Sequence, residues 1–180
     1  MITGTILLLA CASALLAAQA SSSAASGSAL RLIDKKNADS VKRIFCANSE
    51  LSDIASMSLL TNVEELYFME TNIADLRPLV GLKQLRKLYL NQTPVTDLSP
   101  LGELCELRKL NLAYTKVSDL SPLSSCGKLE EIDLRFTPIR DIAPLFGLPR
   151  LGRVYLFGTP IGEDQLNELR RHNPAVTFFR

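Results

Sequence analysis

The sequence is short of the residues that most catalytic and cofactor sites need. Among 180 residues there is no tryptophan and one histidine, His172, and 20 Lys and Arg balance 19 Asp and Glu. This balance leaves no strongly basic field to recruit nucleic acid. No Cys-x-x-Cys pair, catalytic triad order or glycine-rich phosphate loop is present. The sequence therefore predicts a non-enzymatic protein that has no metal, cofactor, nucleic-acid partner or small-molecule substrate.

No apolar run is long enough to span a bilayer. The apolar stretch at 6–18 is shorter than the ~20 residues that a spanning helix needs. It is followed by the small-x-small sequence Ala18-Gln19-Ala20, so residues 1–20 are predicted to be a secretory signal peptide cut after Ala20. Residues 21–40 are then a Ser-rich tether and N-terminal cap, and the protein is secreted, periplasmic or at the cell surface.

Two other interpretations of the N-terminus stay open. Cys11 follows Leu-Leu-Ala, which is similar to a bacterial lipobox, and lipid attached to Cys11 would place the protein on a membrane. Alternatively, the export signal is spurious, since residues 1–5 contain no Lys or Arg. The first residue of the mature chain distinguishes these interpretations from cleavage after Ala20.

The main feature of the sequence is one repeated pattern. Segments 85–101 and 107–123 share Leu-Arg-Lys-Leu-x-Leu and Asp-Leu-Ser-Pro-Leu at an offset of 22 residues. The same phase gives six full units, starting at residues 41, 63, 85, 107, 129 and 151, and a partial unit at 173–180 that puts Thr177 at position 5. A fixed period of this length is typical of a stacked solenoid. Residues 41–180 are therefore predicted to form one repeat domain.

The pattern within each unit predicts the secondary structure. Positions 4 and 6 are apolar in every unit, and this apolar-x-apolar alternation indicates a strand with one buried face. Successive strands in one direction form a parallel sheet. Proline at position 16 favours short 3-10 turns on the convex side. In the last unit Leu166 and Leu169 have helical spacing, and Asn173-Pro174 ends that helix. The fold class is an α/β solenoid with a concave sheet and a closing strand.

The pattern Leu-x-x-Leu-x-Leu-x-x-Thr-x-Val-x-Asp-Leu-x-Pro-Leu resembles the 22-residue class of leucine-rich repeats found in internalins and phosphatase regulators. The resemblance covers residues 41–180 and implies a protein-binding scaffold without naming a ligand. One departure is position 9, where the family usually has Asn and this sequence has Ser49 and then five threonines. A hydroxyl group can take over the local hydrogen bonding of that Asn.

The repeated aspartates and the cysteines each have a structural and a chemical interpretation. Asp at position 13 is predicted to cap the convex turns through its carboxylate, although a row of oxygen ligands also suits Ca²⁺. These residues are Asp53, Asp75, Asp97, Asp119 and Asp141. Cys46 replaces a core leucine and is predicted to be buried. Cys105 and Cys126 fall on neighbouring units with side chains that diverge, so a disulfide between them stays open.

The concave face is where the sequence predicts a binding site. Its mid-strand position 5 and the following positions 7 and 8 carry every tyrosine, together with Phe, Met and Arg, a composition typical of recognition surfaces. The predicted binding residues are Phe45, Tyr67, Met69, Tyr89, Asn111, Tyr114, Asp133, Arg135, Phe136, Tyr155 and Phe157. Positions 2 and 3 carry paired charges, and the acidic pairs of the units starting at 63 and 129 bracket the basic pairs of the units starting at 85 and 107. Much of this charge is therefore expected to be compensated across strands.

These observations predict an exported, non-enzymatic module that recognises a protein or peptide on its concave sheet. Two alternatives stay open. One is a cell-envelope repeat protein that acts as a spacer without a discrete site, in which the aromatic row only stiffens the sheet. The other is an intracellular scaffold of the phosphatase-regulator type.

Overall fold

Each 22-residue unit contributes one strand to a parallel sheet, as the alternation at positions 4 and 6 predicts. A computed structural model describes residues 5–8 and 41–180 of the chain. In this part the sheet has eight strands in sequence order, all parallel. They are β1 Thr5–Leu8, β2 Val41–Phe45, β3 Glu65–Tyr67, β4 Lys87–Tyr89, β5 Lys109–Asn111, β6 Glu131–Asp133, β7 Arg153–Tyr155 and β8 Thr177–Phe179.

Five 3-10 turns form the opposite side of the solenoid, at Ala55–Leu59, Arg77–Leu79, Ser99–Leu101, Ser121–Ser125 and Ala143–Leu145. Four of them have proline as their second residue, which confirms the prediction from position 16. In all five, the backbone N–H of the first residue donates to the Oδ1 atom of the position-13 aspartate at 2.8–2.9 Å. The capping role of these aspartates is confirmed, and it explains why carboxylates repeat along this edge.

One continuous apolar core fills the space between the strands and the turns. The leucines of successive units, such as Leu88, Leu110 and Leu112, are at most 2 % exposed. At position 9 four of the five threonines are buried and Thr159 is half-buried. Each hydroxyl donates to the carbonyl oxygen three residues earlier at 2.6–2.9 Å. Threonine thus satisfies the loop backbone locally, as predicted.

Every unit leaves the sheet through a left-handed residue at position 8. Asn48, Glu70, Gln92, Tyr114 and Phe136 have φ between 52° and 59°, and Gly158 has φ of 74°. This turn ends the inner strands at position 5, so the strands are shorter than the sequence suggests. Consequently Met69, Arg135 and Phe157 at position 7, like Tyr114 and Phe136 at position 8, lie in the turn beside the sheet and not on a strand.

The C-terminal unit departs from the 22-residue register. Helix α1, Glu163–His172, replaces the 3-10 turn and confirms the predicted capping helix. Because a ten-residue helix uses more chain than a 3-10 turn, β8 pairs with β7 at an offset of 24 residues: Tyr155 faces Phe179. The expectation that Thr177 continues the position-5 row is therefore wrong, and Phe179 takes that place.

At the other end of the sheet, β1 lies parallel to β2. The predicted cleavage after Ala20, the lipid-attachment site at Cys11 and the cap at 21–40 lie outside the described residues, so these stay predictions. Cleavage at Ala20 would remove β1 and expose the edge of β2. Within the described residues, no helix is long and apolar enough to cross a membrane.

The cysteines occupy the predicted environments. Cys46 and Cys126 are buried, whereas Cys105 is exposed, and Cys105 and Cys126 are free thiols in this structure. Burial, with a smaller contribution from nearby Cys105, raises the pKa of the Cys126 thiol to about 11. Cys126 is therefore a protonated, unreactive core residue at neutral pH.

Candidate functional site

The first part of the site is a ladder of stacked aromatic rings at position 5 of the first three units. The ring centres of Phe45 and Tyr67 are 4.1 Å apart, and those of Tyr67 and Tyr89 are 4.7 Å apart, with the planes within 10° of parallel. The predicted ladder at the strand spacing is confirmed. The Tyr67 hydroxyl donates to Glu65 Oε2 at 2.8 Å, and burial together with this acceptor raises the pKa of Tyr67 above its ordinary value.

The ladder stops at Tyr89 and resumes at Tyr155. Position 5 of the two units between them holds Asn111 and Asp133, whose side chains are smaller than a ring. The result is a hollow of about 270 Å³ in the concave face, with Tyr89 and Tyr155 at its two ends. Lys109, Leu110, Glu131 and Arg135 complete its lining. We call this cavity the concave hollow.

Asp133 and Arg135 form a single unit at the base of the concave hollow. The guanidinium of Arg135 donates from Nε to Oδ1 at 2.9 Å and from Nη2 to Oδ2 at 2.7 Å, and its backbone N–H adds a third bond to Oδ1. Asp133 is only 6 % exposed. Both residues were expected to be exposed polar groups that contact a ligand. The structure shows instead that the Asp133 carboxylate is engaged in orienting Arg135.

The hydrogen bonds to Asp133 raise the pKa of Arg135 further, although burial opposes this effect. The guanidinium carbon of Arg135 also lies 5.7 Å from the centre of the Tyr155 ring, within the range of a cation–π contact. Arg135 is therefore a permanent, fixed cation in the wall of the concave hollow.

A second aromatic group lies at the C-terminal end of the same face and in the turns beside it. Tyr114 stacks on Phe136 at 4.5 Å, Phe157 meets Phe136 edge-on at 5.3 Å, and Tyr155 stacks on Phe179 at 4.5 Å. We call these five residues the C-terminal aromatic cluster. Four of its side chains, those of Tyr114, Phe136, Phe157 and Phe179, are between 41 % and 55 % exposed. Exposed rings in contact with one another are the usual composition of a protein interface.

Gly158 makes room for this cluster. A Cβ atom at this position would lie 2.6 Å from Cδ1 of Phe136, and the residue has a positive φ. The Phe136 ring therefore rests directly on the Gly158 backbone. Phe179 was not among the predicted site residues, and it joins the cluster because the last unit is two residues longer. The signal that was available is the helical spacing of Leu166 and Leu169, which implies a longer final unit.

Ion pairs across strands neutralise much of the charge on the face, as expected from the acidic pairs that bracket the basic ones. Glu131 illustrates the arrangement, since its carboxylate is 3.2 Å from Lys109 Nζ and 2.6 Å from Arg153 Nη2. Burial raises the pKa of Glu131, but the hydrogen bonds from Arg153 and Lys109 outweigh it and hold this pKa below the usual range. Within the described residues, no group of three or more His, Cys, Asp or Glu side chains is placed to hold a metal ion.

The structure thus brings the predicted site residues together on one face in three groups. The N-terminal ladder contains Phe45, Tyr67 and Tyr89, with Met69 half-buried in the adjoining turn. The concave hollow contains Asn111, Asp133, Arg135 and Tyr155. The remaining three, Tyr114, Phe136 and Phe157, belong to the C-terminal aromatic cluster.

Comparison with known families fits the repeat architecture. The family described as Leucine Rich repeats (2 copies) matches residues 61–103 and again 105–147. These matches agree with the parallel sheet, the 3-10 turns and the 22-residue period. This chain is a leucine-rich repeat protein. No curated protein matches its sequence.

Solved structures with the same fold include bacterial leucine-rich repeat proteins. Internalin C2 of Listeria monocytogenes is 29 % identical and has a TM-score of 0.70, with 79 % of this chain and 61 % of that chain covered. The internalin inlF of the same species is 23 % identical, with a TM-score of 0.64 and coverage of 86 % and 53 %. A leucine-rich repeat protein of Leptospira interrogans is 16 % identical, with a TM-score of 0.58 and coverage of 82 % and 51 %.

The present leucine-rich repeat protein therefore spans between about half and three fifths of the length of these solved proteins. The two matches under 25 % identity support the fold alone. Leucine-rich repeat domains typically serve as protein-interaction modules and are generally non-enzymatic, because a solenoid presents a long, rigid surface with many equivalent positions.

Proposed function

We propose that this leucine-rich repeat protein is an exported binding module that holds a segment of a partner protein on its concave face. The observation that carries the proposal is the concentration of aromatic side chains on that face, in the N-terminal ladder and the C-terminal aromatic cluster. Six ring contacts are formed in the described chain, and five of them lie there. Aromatic and Arg side chains supply most of the binding energy at protein interfaces.

The test removes two rungs of the ladder. We expect the double substitution Tyr67→Ala and Tyr89→Ala to weaken capture of the physiological partner by roughly 2 kcal/mol or more. Its effect on the melting temperature should be smaller, because the rings stack on a face that both strands leave half-exposed. Capture is measured by pull-down from extracts of the source cells and their medium, and melting curves are recorded on the same variants.

The matched control is Lys116→Ala, an exposed change away from the concave sheet, which should alter neither capture nor melting. If the double variant captures the partner at full affinity but melts at a markedly lower temperature, the row is a structural stack and a spacer role is favoured. The export part is tested separately by the first residue of the mature protein. Ser21 supports signal cleavage, lipid-modified Cys11 supports anchoring, and Met1 contradicts export.

A further inference from the structure

Four cations meet on two neighbouring strands in the middle of the sheet. Arg86 and Lys87 at the start of β4 lie beside Arg108 and Lys109 at the start of β5, and Lys87 is the register partner of Lys109. The backbone N–H groups of Arg108 and Lys109 both donate to the carbonyl oxygen of Arg86. Like charges at directly opposite positions of a sheet repel one another. We call this group the cationic seam.

Glutamates flank the cationic seam on both sides, but neither strand of the seam carries a carboxylate at positions 2 or 3. Each cation is therefore drawn outward, away from its like-charged neighbour. The pairs are Arg86 with Glu64 at 3.3 Å, Lys87 with Glu65 at 2.9 Å, Arg108 with Glu130 at 2.7 Å and Lys109 with Glu131 at 3.2 Å. Glu106, which precedes β5, is paired with Lys128, and the pKa of Glu106 is lowered by this hydrogen bond and, to a smaller extent, by Arg86 and Arg108. The line between β4 and β5 is thus bordered by positive charge on both sides.

The concave hollow opens beside this seam, since Lys109 belongs to both. Its acceptor groups are already engaged: Arg135 binds the Asp133 carboxylate, and Lys109 and Arg153 bind Glu131. Asn111 Oδ1 accepts from the backbone N–H of Ala113 at 3.0 Å, so the Nδ2 amide group is the end of Asn111 that remains for a ligand. The hollow therefore offers more donors than acceptors to anything that enters it.

The size and charge of this site limit its occupant. A hollow of about 270 Å³ lies below the range for small-molecule sites, roughly 300–1,000 Å³, and is closer to the size of one or two side chains. A carboxylate is the protein group that accepts hydrogen bonds and also neutralises Lys and Arg. The net charge of the whole chain is only +1, so a long polyanion such as nucleic acid would find no extended basic field.

Resting on the proposed function, we infer that the partner segment is acidic. An Asp or Glu side chain of this segment enters the concave hollow between Tyr89 and Tyr155, beside Lys109 and Asn111. Its neighbours along the segment contact the aromatic rings on either side. The carboxylate places a negatively charged acceptor beside the cationic seam, whose own two strands carry none at positions 2 and 3.

The experiment is an unbiased selection. A random peptide library is displayed and selected on the full-length wild-type protein and on Lys109→Gln. In this variant Glu131 keeps Arg153 as a partner, so the fold should be retained, and a melting curve checks this. Lys116→Gln is the matched control, because it removes an exposed cation elsewhere. We expect Asp and Glu to be enriched next to apolar residues in peptides selected on wild type and on Lys116→Gln, and this enrichment to be lost on Lys109→Gln.

Selected peptides are then resynthesised with Asn or Gln in place of Asp or Glu. This change should weaken binding to the wild type by about tenfold or more, the size expected for a charged hydrogen bond, and should matter much less for Lys109→Gln. Peptides without acidic enrichment that bind wild type and lose affinity for the Tyr67→Ala, Tyr89→Ala variant would overturn the inference but keep the proposed function. Peptides that bind that variant as well as wild type would overturn both. If heparin binds more tightly than any selected peptide, the inference of an acidic peptide is overturned and a sulfated polysaccharide is favoured as the ligand.

Discussion

At the scale of single residues, position 8 has a left-handed backbone conformation that large side chains rarely adopt, yet two units have an aromatic residue there. Tyr114 and Phe136 have left-handed φ values of 59° and 54°, a conformation that costs an L-residue roughly 1–2 kcal/mol. Both rings are also more than 40 % exposed. Their mutual stacking contributes about 0.5–1.5 kcal/mol, which does not exceed the combined cost of two such residues. The fold alone does not account for aromatic residues at these two positions, whereas the proposed interface would.

A prediction at this scale concerns the glycine beneath Phe136. Gly158→Ala should destabilise the protein by roughly 1–3 kcal/mol, because residue 158 has a positive φ and the added Cβ meets the Phe136 ring. The measurement is a urea unfolding curve. Gly147→Ala is the control, since nothing lies within 4 Å of a Cβ at that position, and it should change stability little. Equal stability of the two variants would show that Phe136 does not rest on Gly158.

At the scale of one element, a unit consists of a three-residue strand, a capped turn and a layer of core, and none of these is stable alone. The Asp97 carboxylate caps its turn at Ser99, and the Thr93 hydroxyl satisfies the Leu90 carbonyl. Both bonds stay within one unit. The leucines, in contrast, are buried only because the next unit covers them, so stability resides in the contacts between units.

Leu112→Ala tests this division. The side chain of Leu112 is fully buried, so its truncation should lower the free energy of unfolding by about 2–5 kcal/mol. Because each unit contacts only its neighbours, a weakened central unit should also separate the unfolding of the two halves. Hydrogen exchange followed along the sequence measures both effects. The control in the same unit is Ser118→Ala, an exposed change. A single cooperative transition at wild-type stability would contradict the assigned register.

Much of the element scale could be predicted from the sequence, because each local signal has one physical cause. Proline at the second turn residue, aspartate before it and threonine at position 9 all act within a few residues of themselves. The end of the strands could not be predicted, since large side chains such as Tyr114 rarely adopt the left-handed conformation that ends them. The 24-residue offset of β8 also escaped prediction, because the chain length that a helix uses depends on how it packs.

At the scale of the whole molecule, ion pairs between strands make the fold sensitive to acid. Burial opposes ionisation of Glu65 and Glu131, but hydrogen bonds from Lys87 and Tyr67 to Glu65, and from Arg153 and Lys109 to Glu131, hold both pKa values below the usual range. A carboxyl group with a lowered pKa in the folded state stabilises the fold above its unfolded pKa, about 4.3 for Glu. This stabilisation is lost as the pH falls through the folded pKa.

We therefore expect the melting temperature to be level from neutral pH to about pH 5 and to fall progressively below it. Glu131→Gln should melt at a lower temperature than wild type at neutral pH and should lose less on acidification, because one of the titrating groups is gone. Thermal melts of both proteins from neutral to acidic pH measure this difference. Parallel curves for the two proteins at all pH values would contradict the assignment of acid sensitivity to this ion pair.

The candidate site was predictable as a surface but not as a shape. Alternation and period place Phe45, Tyr67 and Tyr89 on one line, so their stacking follows from the sequence. The concave hollow depends on two further facts that no periodicity contains. Asn111 and Asp133 leave the row of rings incomplete. Arg135 folds back onto Asp133, so Asp133 orients Arg135 and does not contact a ligand directly as expected.

The unbroken 22-residue register of the inner strands has a geometric consequence for any extended partner that lies across them. Equivalent positions on the sheet repeat about every 4.8 Å, whereas side chains on one side of an extended peptide repeat about every 6.7 Å. Three strand spacings, about 14 Å, nearly equal two of these side-chain spacings of the peptide, about 13 Å. Tyr89 and Tyr155 lie three strands apart, so they match residues i and i+4 of a partner, and residue i+2 lies above the concave hollow.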